Sequence, residues 1–270
     1  MIKFIFLYAI SRSGHTAIKN WIGLQCFMPA YSLDCSGHIF KYDQENVICI
    51  NPKQYDLFER NIINFTFLKN LFDKEKKFTI IVNCENFKPN QEELTKFVDK
   101  FTLKYIEKRT QIFQIIEFRD PYNNMASLLK LRKGENLDSF MYFKNLMLEY
   151  INEIDNKTNY IENKILINYN KWIFDIEYRK SITKHLDISF TDKGFLNISS
   201  QSSFDKNCEK ADEMRVLERW KYFKNDSIFR KIVDDQRLHD FSLKHFNFYL
   251  NFNNSNKKAT IKRGFSKTYI

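Results

Sequence analysis

The chain has 270 residues, 43% hydrophobic, 16% aromatic and 28% charged, enough apolar material to bury one full core and too much for a disordered or fibrous chain. Its formal net charge of +10 favours phosphate, sulfate or nucleic acid as partners, although the joint enrichment in Lys, Asn, Ile and Phe also fits an AT-rich coding bias. No apolar run reaches the roughly 18 residues that a membrane-crossing helix needs, so no membrane span is expected.

From the N-terminus, 4–10 is a continuous apolar run of strand length, and 16–27 sets Ile18, Trp21, Ile22 and Gln25 at helical spacing. The polar loop between them replaces the small-residue cleavage site that a signal peptide would need, so the run is read as a buried strand. A short strand is expected at 47–50, a helix over 56–72, a second buried strand at 78–82, and a helix over 91–106 after Pro89 and Asn90. Strand, turn and helix recur at 111–118, Arg119-Asp120-Pro121 and 123–131. A long helix over 135–154, a strand at 164–168 and a single helix over 171–186 follow. A polar loop over 187–206 leads to two or three helices within 211–249. Alternating strands and helices predict a three-layer α/β sandwich, a central and mostly parallel sheet flanked by helices, with a helical C-terminal part. The chain reads as a single domain, 1–252, followed by a basic, mobile tail over 253–270.

Six glycines must serve every glycine-dependent motif. Their positions exclude G-x-G-x-x-G, the Walker A loop and G-x-S-x-G, and with them dinucleotide enzymes of that fingerprint, ordinary P-loop NTPases and elbow-type hydrolases. Five cysteines, an odd number without a C-x-x-C pair, suit free thiols in a reducing compartment and a cytoplasmic location. The five histidines show no H-E-x-x-H, and no metal site is expected.

In open α/β sheets, ligands sit beyond the carboxyl ends of strands, where helix N-termini turn free N–H groups outward. Two segments fall at such places. In Ser11-Arg12-Ser13-Gly14-His15-Thr16, Gly14 lets backbone approach a ligand, Ser13 and Thr16 offer hydroxyls, and Arg12 offers a planar fork of donors to an anion. Arg119, leaving its strand, stands eight residues before Ser127 in the next helix, so that a guanidinium and a hydroxyl converge on a second anionic group. Two separate anion sites imply a ligand with two separate phosphates.

As a pair, strand–[KR]-S-G-x-T–helix and strand–R-[DN]-P-x5-S resemble the motifs of sulfotransferases that use 3′-phosphoadenosine 5′-phosphosulfate, of bacterial or carbohydrate type. The resemblance implies the P-loop-NTPase-like fold of that family. It places Arg12, Ser13, Gly14, His15, Thr16 and Ala17 on the 5′-phosphosulfate loop, and Arg119 and Ser127 on the 3′-phosphate. Tyr169, in Ile167-Asn168-Tyr169, falls where family members set a tyrosine against the adenine, and Glu218-Arg219-Trp220 resembles a C-terminal stretch of bacterial members. The family's closing Arg-Lys-Gly segment has Lys262-Arg263-Gly264 as one counterpart, with Ser202-Ser203-Phe204-Asp205 as the alternative cover. Residues 28–77 match no known pattern.

The implied reaction is in-line transfer of a sulfuryl group to a hydroxyl or amine, without a metal, leaving adenosine 3′,5′-bisphosphate. Arg12 would stabilise the leaving phosphate, and Glu85, His38 and His15, in that order, are the candidate bases. The acceptor is a small molecule, carbohydrate or lipid; neither it nor the oligomeric state is legible. Two alternatives stay open: a phosphoryl-transfer enzyme with a degenerate P-loop, and a basic nucleic-acid-binding protein, although no nucleic-acid-binding motif is present and no nucleic-acid partner is expected.

Overall fold

The computed structural model describes residues 2–26, 29–33, 39–43, 46–51, 77–90, 110–195, 204, 215–251 and 260–263. In chain order its elements are β1 (Ile2–Ala9), α1 (His15–Gln25), β2 (Ala30–Leu33), β3 (Ile39–Asp43), β4 (Asn46–Asn51), β5 (Phe78–Glu85), β6 (Thr110–Phe118), α2 (Pro121–Leu131) and α3 (Leu137–Ile154). There follow β7 (Ile165–Asn168), α4 (Tyr169–Phe174), α5 (Ile176–His185), a 3₁₀ turn (Arg219–Tyr222), α6 (Ser227–Val233), α7 (Gln236–Phe246), β8 (Phe248–Asn251) and β9 (Thr260–Arg263). The helices expected over 56–72 and 91–106, and His38, lie outside the described residues.

The main sheet has the order β4-β3-β2-β5-β1-β6-β7. β2, β5, β1, β6 and β7 run parallel, and β3 and β4 extend that sheet antiparallel to their neighbours. β1 therefore has β5 on one side and β6 on the other, so a crevice opens beyond its carboxyl end. The register brings the strand ends level: Ala9 pairs with Glu85, and Tyr8 with Ile116.

A strand buried on both faces reads as an unbroken apolar run, because alternate side chains enter different cores. In β1, Phe4, Phe6 and Tyr8 enter one core while Ile5 and Leu7 enter the other. The first core is closed by α2, α3, α6 and α7, through residues such as Met125, Leu146, Ile232 and Phe241. The second is closed by α1, α4 and α5, through Trp21, Trp172 and Ile182. The expected sandwich is thus present. No helix among the described residues is long and apolar enough to cross a membrane.

Three sequence expectations change. The single helix over 171–186 is two, because Asp175 both ends and starts one: its N–H closes α4 on the Lys171 carbonyl at 2.9 Å, and its carboxylate accepts from Tyr178 N at 3.0 Å, an N-cap. The stretch 211–249 is not helical to its end, since Asn247 in the left-handed region (φ 61) stops α7 and Phe248-Tyr249-Leu250 form β8. Within the expected tail, Thr260–Arg263 pairs antiparallel with β8.

Between α3 and β7 the chain turns around one buried carboxylate. Glu153 accepts from Thr158 Oγ1 at 2.7 Å, from the backbone of Tyr160 and Ile161 at 3.1 and 3.0 Å, and from Lys164 Nζ at 2.7 Å. Burial raises its pKa, but these donors outweigh burial and lower it from the ordinary value. Glu153→Ala strands Lys164 and two backbone donors, and is expected to cost about 3–5 kcal/mol in urea denaturation. Because the folded pKa is the lower one, this stabilisation is complete above the ordinary carboxylate range and fades as pH falls through the lowered value. A loss below about 1 kcal/mol would show that the turn is held by its other contacts.

Candidate active site

The loop after β1 is tight. Ser13 N donates to the Ile10 carbonyl at 3.1 Å, Arg12 has φ 70 and Gly14, which caps α1, has φ 120. Only glycine fits this last position, both for its φ and because a Cβ there would run into the Tyr169 ring. The backbone approach expected at Gly14 is therefore made to Tyr169. Ser13 and His15 are buried, whereas Thr16 and Ala17 are exposed, so the first turn of α1 is the open side. The Ser13 hydroxyl points into the protein and donates to Glu117, rather than facing the open cradle.

Beside this loop lies the segment expected as the second anion site. Arg119 is 4% exposed and donates to the Arg12 carbonyl at 3.4 Å and to the Val216 carbonyl, while its buried Nε has no partner among the described residues. Burial and the neighbouring charge of Arg219 bring its pKa down to about 10. Asp120 then starts α2 as its N-cap, accepting from Asn123 N and Nδ2, both at 2.9 Å, and from Asn170 Nδ2 at 3.0 Å. Proline at the first helical position suits a site where an N–H would have no partner. One turn further in, Ser127 Oγ accepts from Arg219 Nη1 at 2.8 Å. Arg219 itself lies 4.8 Å from the ring centre of Phe204, against which Lys130 packs at 4.1 Å.

Tyr169, the first residue of α4, forms the wall between the two. Trp172 stacks on it at 5.7 Å, and the Arg119 guanidinium lies 5.1 Å from its centre. Burial raises its pKa.

On the β5 side, Glu85 accepts from Ser11 Oγ at 2.5 Å and pairs with His15 Nε2 at 3.3 Å. Asn86, at φ 62, accepts from Ser11 N and donates to Ser11 Oγ, both at 2.8 Å. Burial raises the Glu85 pKa, but the His15 and Ser11 hydrogen bonds and the charges of His15 and Lys19 bring it to about 2. His15 Nδ1 is buried and has no partner among the described residues. Burial and Arg219 lower the Arg12 pKa, against the pull of Glu85 and Tyr169.

The structure therefore gathers Arg12, Ser13, Gly14, His15, Thr16, Ala17, Glu85, Arg119, Ser127 and Tyr169 at one end of the sheet. Two further members were not singled out from sequence as site residues. Arg219 lies in a segment noticed only for its resemblance, and reaches Ser127 across 92 positions of chain. Glu117 reads in sequence as an ordinary strand residue two positions before Arg119. Among the described residues no cluster of His, Cys, Asp and Glu has the makings of a metal site.

No protein-family model matches the chain, and no curated protein matches its sequence. Solved structures do resemble it. The sulfotransferase domain of the Synechococcus PCC 7002 olefin synthase superposes with a TM-score of 0.51 at 13% identity, over 89% of this chain and 94% of that one. Mouse sulfotransferase SULT7A1, solved with PAP, gives a TM-score of 0.46 at 15% identity, over 94% and 86%. The sulfotransferase domain of the curacin biosynthetic pathway gives 0.47 at 13% identity, over 87% and 97%. At these identities the likeness is one of architecture: the chain has the α/β fold of the olefin synthase sulfotransferase domain.

Proposed function

We propose that this protein is a sulfotransferase that moves a sulfuryl group from 3′-phosphoadenosine 5′-phosphosulfate to a hydroxyl or amine, with carbohydrates among the candidate acceptors. The observation that carries the reading is the meeting of Arg12, ahead of the N-terminus of α1, with Arg119, ahead of α2, through the Arg12 carbonyl, while Ser127 of α2 meets Arg219. The first suits the phosphosulfate and the second the 3′-phosphate, with Arg219 as a second guanidinium there. The PAP bound by mouse SULT7A1 is the bisphosphate that such a reaction leaves.

In the transfer, an acceptor oxygen or nitrogen forms a bond to sulfur as the bond from sulfur to the 5′-phosphate oxygen breaks. Arg12 faces the charge that collects on the leaving phosphate, and its fixed position lowers the barrier without rearrangement. The acceptor proton goes to the His15–Glu85 pair. A carboxyl held near 2 by its donors is a weak base at neutral pH, so the part of Glu85 in the pair is to hold the His15 ring through Nε2.

Calorimetric titration with adenosine 3′,5′-bisphosphate is expected to give micromolar binding at low salt, stronger than with AMP or with ATP and Mg²⁺. A preference for ATP, or no binding, would overturn the reading. Arg119→Ala is expected to weaken bisphosphate binding by about 1.5–3 kcal/mol, the loss of hydrogen bonds to a charged group. Unchanged affinity would mean that the 3′-phosphate binds elsewhere. Glu85→Gln is expected to leave that affinity intact, and both Glu85→Gln and His15→Asn to lower turnover of an acceptor found by screening by about 10²–10⁴-fold. Full activity in both variants would move the base to a residue outside this pair.

A further inference from the structure

Beneath the anion loop, Glu117 has no role in the transfer described above. It is 1% exposed, and among the described residues its one hydrogen-bond partner is the Ser13 hydroxyl, itself 2% exposed. Its other oxygen, Oε1, is buried and has no partner among the described residues. Glu117, Ser13, Arg119 and Asn124 line a cavity of ≈ 20 Å³, closed on its apolar side by α3 and by Phe241 of α7. Arg119 is two residues on in the same strand, yet spends its guanidinium on the Arg12 and Val216 carbonyls and makes no ion pair with this carboxylate.

An ionised carboxylate here has one effect on an incoming anion through charge and another through Ser13. Its charge opposes a second negative group just above it. It also draws the Ser13 proton downward, so the hydroxyl that caps the loop is turned away from the crevice. Once the carboxyl carries a proton, that proton can be donated to Ser13 Oγ, and the Ser13 hydrogen is released to point at the ligand. Burial moves the Glu117 pKa up to about 8, with the Ser13 hydrogen bond and Arg119 working against burial and Glu85 adding to it.

We propose that Glu117 makes binding of the phosphosulfate group proton-linked: the donor or its bisphosphate product binds with uptake of one proton from solvent by this carboxylate, and Ser13 turns to the anion. The inference rests on the sulfotransferase reading, since it assigns the anion to the loop above Ser13. The groups that act on Glu117 are Ser13 of the loop, Arg119 of its own strand, Glu85 of β5 and Tyr169 of α4, and Asn124 of α2 and Tyr150 of α3 line the same cavity. Of these, Glu85 is already ionised well below neutral pH, and Arg119 titrates above the range in which Glu117 does.

The test is calorimetric titration of the full chain with adenosine 3′,5′-bisphosphate between pH 6.5 and 9.5, in buffers of different ionisation enthalpy. Wild type is expected to weaken by about tenfold per pH unit once Glu117 ionises in the free protein, and to take up close to one proton per ligand there. Glu117→Gln is expected to bind with a flat profile across the same range and without that uptake. Identical profiles for the two proteins, or wild-type binding without proton uptake above pH 8, would overturn the inference. Should the variant not fold, wild-type uptake with its midpoint near pH 8 upholds the inference, and uptake that only rises towards pH 10, where Arg119 titrates, overturns it. Absence of bisphosphate binding at every pH would instead overturn the functional reading, and this inference with it.

Discussion

Buried positive charge is the constraint around which the carboxyl end of this sheet is organised. Arg119 and Arg219 are 4% and 5% exposed, and the charge of Arg219 presses down the pKa of both Arg119 and Arg12. Taking guanidiniums out of water costs free energy that has to be offset by partners. Those found for Arg119 are neutral: the carbonyls of Arg12 and Val216 and the flank of Tyr169. The acidic groups nearby are engaged otherwise. Asp120 caps α2, Glu85 accepts from Ser11 and His15, and Glu117 meets Ser13. Among the described residues, then, no acid forms an ion pair with Arg119, and a dianionic group is the kind of ligand its guanidinium suits.

The opposite end of β1 shows what a purely structural buried cation looks like. Lys3 is 1% exposed, but its ammonium meets the Leu186 carbonyl at 3.3 Å, the Asp187 carbonyl, and the Asp187 carboxylate at 3.0 Å. These are the free carbonyls just past the end of α5, where a cation is also favoured by the helix dipole. Lys3 is thus neutralised by full hydrogen bonding and a counter-charge, whereas Arg119 keeps a buried Nε with no partner among the described residues. Burial alone does not separate the two ends; the charge of the acceptors does.

Much of this was legible in the sequence, for a physical reason. Strands buried on both faces have to be apolar throughout, so β1 and β5 stand out, and a loop that must bind an anion needs its glycine and arginine close together in the chain. The resemblance of Arg12-Ser13-Gly14 and Arg119-Asp120-Pro121 to family motifs then located both sites, because each is built within one strand–turn–helix unit. Arg219 was not legible as a site residue, since its partner Ser127 is set by tertiary packing of the 3₁₀ turn on α2, visible in Trp220 N donating to Asn123 Oδ1 at 3.2 Å. Glu117 was hidden in a strand that reads as an edge of the motif. The break at Asp175 was missed because the apolar residues Trp172, Ile176 and Ile182 keep helical spacing across it, and a capping carboxylate decides the matter instead.

Spacing between the two anion sites is set by packing rather than by sequence distance. The Arg12 loop is fixed from three directions: Arg119 of β6 donates to the Arg12 carbonyl, Asn124 of α2 donates to the Ser11 carbonyl at 3.2 Å, and the Tyr169 ring of α4 fills the space above Gly14. Each of these partners belongs to an element that also shapes the second site. Arg119 is its guanidinium, α2 carries Ser127, and Tyr169 lies against Arg119. A shift of the loop would have to break contacts to all three, so the separation of the two anion sites is a property of the sheet and its first flanking helices. For the proposed ligand with two phosphates, geometry fixed before binding spares the ordering cost that a flexible pair of sites would incur.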